Sequence, residues 1–287
     1  MRHALPMRER EGFPPGVPAW IDTAQPDPDA TAAFYAALFG WEFAERGSVE
    51  DGPRYVVASL DGRQVAAVTS APPGVTAAPA WNTHVTVDDA DAAAARVRDA
   101  GGTVLAGPFD LFDLSRMAWC ADPTGAGFGL WEPRNIAGAE MVNAPGTWNF
   151  SELKTADVDG ATRFYGEVFG WEVDVVDMGA MHGTMVRLPG YADFLEQFDP
   201  GIRQRHADFG APPGFSECIA WIMPLANGEA PHWNVTFAVA DTDRVASTAR
   251  EHGGAVLVEP FDLPPVRGTV IADPAGARFT ANALKPG

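Results

Sequence analysis

The chain repeats itself. Residues 29–43 read DATAAFYAALFGWEF and residues 159–173 read DGATRFYGEVFGWEV, an offset of 130. DAGGTVLAGPFDL, ending at Leu111, returns as EHGGAVLVEPFDL, ending at Leu263, at an offset of 152. ADPTGAGFG from Ala121 returns as ADPAGARFT from Ala272, at an offset of 151. Three blocks in one order restrict the chain to two copies of one architecture, a stronger constraint than local propensity can supply. The copies span 17–133 and 147–285, after a tail at 1–16 and across a linker at 134–146 whose Gly and Pro break regular structure. The growth of the offset inserts extra residues into the second copy, at about 191–213.

Each copy divides again. AWIDTA reads as a strand and PDPDATAAFYAALFG as a helix, with Asp27 or Asp29 placed to cap it and Gly40 placed to end it. WEFAERG, RYVVASLDG and RQVAAVTS then read as three strands between Gly and Asp turns. The pattern restarts at Trp81 with a strand, the helix ADAAAARVRDAGG and three more strands, so each copy is two βαβββ units. Two such units, each with one apolar sheet face, can cover each other as a cup-shaped mixed sheet with helices outside, an α+β fold. The inserted YADFLEQFDPGIRQRHADF is interrupted by Asp199-Pro200-Gly201 and predicts two short helices between the third and fourth strands of its unit. A lid and a dimer contact both suit it; as a lid, Phe194, Phe198 and Phe209 would cover ligand while Arg203, Arg205 or His206 bind polar groups.

Charge narrows the partners. Twenty Lys and Arg stand against 38 Asp and Glu, a formal charge of -18, which repels nucleic-acid backbones and anionic lipid. No run reaches a membrane span and the start has no signal-like apolar stretch, so a cytoplasmic, soluble protein is expected. Cys120 and Cys218 lack metal spacing and read as inert thiols. His182 and His232 read as ordinary surface or edge histidines.

The helix signature D-x(6)-FYxxxFGW, at Asp27 to Trp41 and Asp157 to Trp171, and the DPxGxxF turns at Asp122 and Asp273 resemble the vicinal oxygen chelate superfamily. That superfamily includes glyoxalase I, extradiol dioxygenases and bleomycin-resistance proteins, and the likeness is greatest to two-domain, glyoxalase-like or "hydroxylase" types of actinobacteria. The resemblance implies two tandem domains. It also implies, in metal-dependent members, ligands on the first, fifth and eighth strands of each cup. Those positions here are Trp20, Asn82 and Gly129 in the first cup and Phe150, Asn234 and Thr280 in the second. An indole, a phenyl ring and a glycine offer no lone pair, so no metal and no other cofactor is expected.

Residues two apart share a strand face. This adds Asp22, His84 and Trp131 to the first cup, and Glu152, Thr236, Arg278 and Asn282 to the second. Asp22 and His84 form the one pairing suited to acid–base chemistry, because a carboxylate beside an imidazole fixes its tautomer. Trp20, Trp131 and Trp119 suggest a floor for a planar ring, while Trp81 and Phe128, on the opposite parity, should pack under helices. The expected function is metal-independent binding or sequestration of a planar aromatic, antibiotic-like metabolite, in a polyketide pathway or a resistance role. The alternatives are a metal-free acid–base enzyme using Asp22 and His84, and a divergent metal-dependent glyoxalase or dioxygenase. A monomer and a homodimer both fit, since two cups are already fused.

Overall fold

The computed structural model describes residues 12–48, 54–70, 79–177, 182–226, 228–263 and 265–285. Most of the expected tail, and the side chain of His182, lie outside the described residues. Four modules follow in order. The first is β1 (Pro18–Gln25), α1 (Pro28–Phe39), β2 (Glu42–Ser48), β3 (Arg54–Leu60) and β4 (Arg63–Ser70). The second is β5 (Trp81–Thr86), α2 (Ala90–Asp99), β6 (Thr103–Leu111), β7 (Ser115–Ala121) and β8 (Gly127–Pro133). The third is β9 (Thr147–Thr155), α3 (Val158–Phe169), β10 (Glu172–Asp177), β11 (His182–Arg187) and β12 (Cys218–Pro224). The fourth is β13 (His232–Ala238), α6 (Thr242–Glu251), β14 (Ala255–Leu263), β15 (Val266–Ala272) and β16 (Arg278–Leu284). Between β11 and β12 lie α4 (Tyr191–Phe198), α5 (Ile202–Asp208) and a 3₁₀ turn, Phe215–Glu217, the two short helices that the Asp-Pro-Gly interruption predicts.

Two eight-stranded mixed sheets result, ordered β2-β3-β4-β1-β5-β8-β7-β6 and β10-β11-β12-β9-β13-β16-β15-β14. The β1/β4 and β13/β16 pairs are parallel and the hairpins antiparallel. Local chemistry sets the helix ends. Asp27 caps α1 by accepting from the Asp29 and Ala30 amides at 3.1 and 3.0 Å, and Asp157 caps α3 by accepting from Gly160 at 2.8 Å. Gly40 and Gly170 end these helices at φ 76° and 74°, a left-handed conformation that costs glycine little.

By contacts the chain forms two compact units, each taking one module from either half. Unit 1 holds Met1–Ala19, Val85–Ala137 and Leu153–His232; unit 2 holds Trp20–His84, Gly138–Glu152 and Trp233–Gly287. The repeated motifs explain this pairing. In unit 2, Tyr35 of the helix signature donates to Asp273 Oδ2 at 3.2 Å and accepts from Trp81 Nε1 at 2.8 Å. Asp273, the turn aspartate, also accepts from Gln25 and from the amides of Ala275 and Ala277, and burial raises its pKa. Trp41 donates to the Gly146 carbonyl at 2.7 Å, and a Cβ on Gly254 would meet Phe34 at 2.9 Å.

Unit 1 repeats the scheme with Tyr165 on Asp122 at 3.2 Å, Trp171 on the Gly16 carbonyl at 2.6 Å and Phe164 seated over Gly102. The signatures are therefore docking devices: a helix of one half is fastened to a turn of the other by buried hydrogen bonds and ring packing. Trp81 packs edge-on against Tyr35 with centroids 5.2 Å apart. Phe128 packs against Phe164, Tyr165 and Phe169 of α3. Both rings lie under helices, as their parity requires.

Candidate functional site

In the first cup, β1 and β5 bring Asp22, Asn82 and His84 together. Asp22 Oδ2 lies 3.0 Å from His84 Nε2, and Asp22 Oδ1 accepts from Asn82 Nδ2 at 3.0 Å. A third strand joins them. Tyr55, on β3, points its hydroxyl at Asp22 Oδ2 over 3.4 Å and accepts from Trp20 Nε1 at 2.8 Å. Burial, with Asp22 beside it, holds the Tyr55 hydroxyl well above its usual pKa, so it stays a neutral donor. Trp20 and His84 are 0% exposed, Asp22 1% and Tyr55 2%; Asn82 is half-buried. Both ring nitrogens of His84 are sealed from solvent.

The aromatic floor is differently placed from the expectation. Trp20 and Trp131 are completely buried, and the Trp131 indole N–H is used internally, donating to the Ile136 carbonyl at 2.9 Å. Neither ring presents a face for stacking. Their bulk and polar edges are absorbed by the interior, which is how large indoles are commonly accommodated. Trp119, half-buried, stands opposite Gly129 in the β7/β8 ladder.

The second cup is more open. On β9, Ser151 and Leu153 are buried while Phe150 and Glu152, on the other face, are half-buried. On β16, Phe279 and Ala281 are buried, Thr280 and Asn282 half-buried and Arg278 exposed. Thr236 lies in register with Thr280, and the buried Asn234 amide donates to Thr280 Oγ1 at 3.1 Å and towards Thr236 Oγ1 at 3.4 Å. The residues picked by parity share one face here, a phenyl ring among hydroxyl, amide and charged groups.

The six positions expected to hold metal in family members do not make a binding set. Trp20 turns an N–H, not a lone pair, to Tyr55, Gly129 has no side chain, and Asn234 spends its amide on neighbouring hydroxyls. Among the described residues no group of three or more His, Cys, Asp or Glu is clustered to hold an ion. Burial pushes the Cys120 thiol up to about 12, which keeps it protonated and unreactive.

The insertion pairs its own charges. Arg203 pairs with Asp193 at 2.5 Å and Glu196 at 3.8 Å, Arg205 pairs with Asp199, and His206 Nδ1 lies 2.9 Å from Ser216 Oγ. The two arginines thus meet acidic groups of the insertion itself. Phe194 contacts Tyr191 and Phe198, and only Phe209 of the three phenylalanines is widely exposed, at 62%. His232, at the start of β13, meets its own Ala230 carbonyl at 2.9 Å.

No helix among the described residues is long and apolar enough to cross a membrane. The profile of the Glyoxalase/Bleomycin resistance protein/Dioxygenase superfamily matches residues 18–130, and that of a glyoxalase-like domain matches 151–282. The chain is 36% identical over 98% of both chains to CFP32 of Mycobacterium tuberculosis, which bears the name of a glyoxylase. It is also 36% identical, over 96% of both chains, to the anthracycline biosynthesis protein DnrV of Streptomyces peucetius. In fold it is similar to the Mn(II)-bound glyoxalase of Novosphingobium aromaticivorans. The TM-score is 0.59 at 15% identity, covering 94% of this chain and 83% of that one. The chain belongs to the glyoxalase/bleomycin resistance/dioxygenase superfamily, as two tandem vicinal oxygen chelate domains.

Proposed function

We propose that the protein is a metal-independent binder of a planar aromatic metabolite, with the 17–133 and 147–285 halves as its two domains and the ligand on the second cup. The observation that carries this reading is the half-open face of Phe150, Glu152, Arg278, Thr280 and Asn282. A ligand needs accessible surface, and a ring among convergent polar groups both stacks and orients an aromatic guest. The relative named for anthracycline biosynthesis supports a role in secondary metabolism and a fused-ring ligand.

Titration of the purified full chain with quinizarin, a planar dihydroxyanthraquinone, tests it. Saturable quenching of protein fluorescence is expected, undiminished by a chelator, with only trace metal by elemental analysis. One tightly held ion per chain, with binding abolished by chelation, would overturn metal independence; absence of saturable binding would overturn the binder.

A second reading rests on the 3.0 Å approach of His84 to Asp22. As a proton-transfer pair they would act on a ketone or phenol. His84→Ala and Asp22→Asn would then each reduce turnover by about 100-fold or more while affinity changes little. Product formation equal to wild type in both variants removes this reading.

A further inference from the structure

The two halves of the chain are built alike, yet one row of one sheet differs between them in a way that packing alone does not require. In unit 2, Phe261 on β14 is the ladder partner of Gly268 on β15, and Gly268 is the partner of Asn282 on β16. Partners in antiparallel ladders project to the same face, so ring, glycine and amide form one line across the sheet. The next line holds Val258, Val270, Thr280 and Thr236.

Gly268 does not have the positive φ that would demand glycine; what it supplies is space. A Cβ there would lie 3.4 Å from Phe261 Cζ and 3.7 Å from Cε1, so the ring leans over the gap. Phe261 remains 39% exposed and Asn282 half-buried. The equivalent row of unit 1, by the same repeat, is Phe109, Met117 and Trp131, again ladder partners. Met117 is 3% exposed and Trp131 0%. One half thus fills the row with a thioether and an indole, and the other replaces them with a hydrogen atom and a carboxamide. Interiors lose stability when large side chains are removed, so the opened row sacrifices packing that the fold demonstrably accepts.

We propose that Phe261, Gly268 and Asn282 are the specificity-determining row of the second cup. It seats a planar ring bearing hydroxyl or carbonyl groups at one edge. The ring stacks on Phe261 over the Gly268 gap, and its oxygens meet the Asn282 amide and the Thr280 hydroxyl. This rests on the binding reading above and names the ligand chemistry that the face selects.

The probe is quinizarin, titrated by fluorescence into the full chain and its variants. Phe261→Ala should weaken binding by about tenfold, the scale of one lost ring-on-ring contact, and Phe261→Tyr should retain it. Gly268→Met combined with Asn282→Trp rebuilds the filled row and should abolish binding with the circular dichroism unchanged. If that double variant does not fold, the surface changes at Phe261 decide alone. Wild-type binding that Phe261→Ala leaves untouched overturns this inference and spares the binding reading. Failure of the wild type to bind overturns both.

Discussion

Asp22→Ala removes the acceptor at the centre of the first-cup cluster. Three groups lose a neighbour: the donors Asn82 Nδ2 at 3.0 Å and the Tyr55 hydroxyl at 3.4 Å, and His84 Nε2, which lies 3.0 Å from the carboxylate. They are not equal. Asn82 is half-buried and turns to water at little cost, whereas His84 and Tyr55 are sealed from solvent. A buried polar group stripped of its partner costs about 1–3 kcal/mol, so the sum is about 2–5 kcal/mol, with the long Tyr55 contact at the low end. Against the ~5–15 kcal/mol that holds a typical domain, this is a large fraction. Tyr55→Phe should cost less, about 1–2 kcal/mol, because it removes mainly the acceptor for Trp20 Nε1 at 2.8 Å.

The double variant should fall short of additivity, since Asp22 and Tyr55 share one contact. Urea unfolding followed by tryptophan fluorescence and far-ultraviolet circular dichroism measures all three, with the two probes compared because two compact units need not unfold together. A loss below about 1 kcal/mol for Asp22→Ala would refute the reasoning, since a sealed network that can be cut so cheaply is not holding β1, β3 and β5 in register.

Two other outcomes follow from the repeat. Gly254→Ala and Gly102→Ala should each destabilise by about 1–3 kcal/mol on thermal unfolding, the range for overpacking. The added Cβ would lie 2.9 Å from the Ala272 carbonyl in the first and 2.9 Å from the Ala121 carbonyl in the second, and backbone cannot swing aside. The surface triads Arg116 with Asp91 and Asp110, and Arg267 with Asp243 and Asp262, hold all four carboxyls below their ordinary pKa, chiefly through guanidinium hydrogen bonds at Asp91, Asp110 and Asp243 and through the Lys285 ammonium, ahead of Arg267, at Asp262. Carboxyls depressed in the fold stabilise it above their unfolded pKa and lose that contribution as pH falls through the folded value. The urea-midpoint difference between wild type and Asp243→Asn should therefore be present at neutral pH, vanish in acid and shrink in high salt; a difference that grows on acidification contradicts the assignment.

The repeat, visible from residue identities alone, determined the number of modules and the order of elements, while local chemistry narrowed the cap of α1 to Asp27 or Asp29 and divided the insertion into two helices. These depend on neighbours within a few residues, where turn chemistry and periodicity are written directly in the chain. That Trp20, Gly129 and Phe150 carry no lone pair for a metal was equally legible, because a side chain's chemistry needs no fold to be known.

What the sequence left undecided depends on which faces meet. Tyr55 could not be placed with Asp22 from parity along β1, β5 and β8, since it arrives from β3 through a strand pairing that only the closed sheet establishes. Nor could the burial of Trp20 be read, because exposure is a property of everything packed around a ring. The opened row of Phe261, Gly268 and Asn282 is spelled in three separate strands, and β14, β15 and β16 bring it into one line only when their ladders close. The tertiary structure decided these matters because register and curvature bring distant residues to the same face, and no local pattern encodes that meeting.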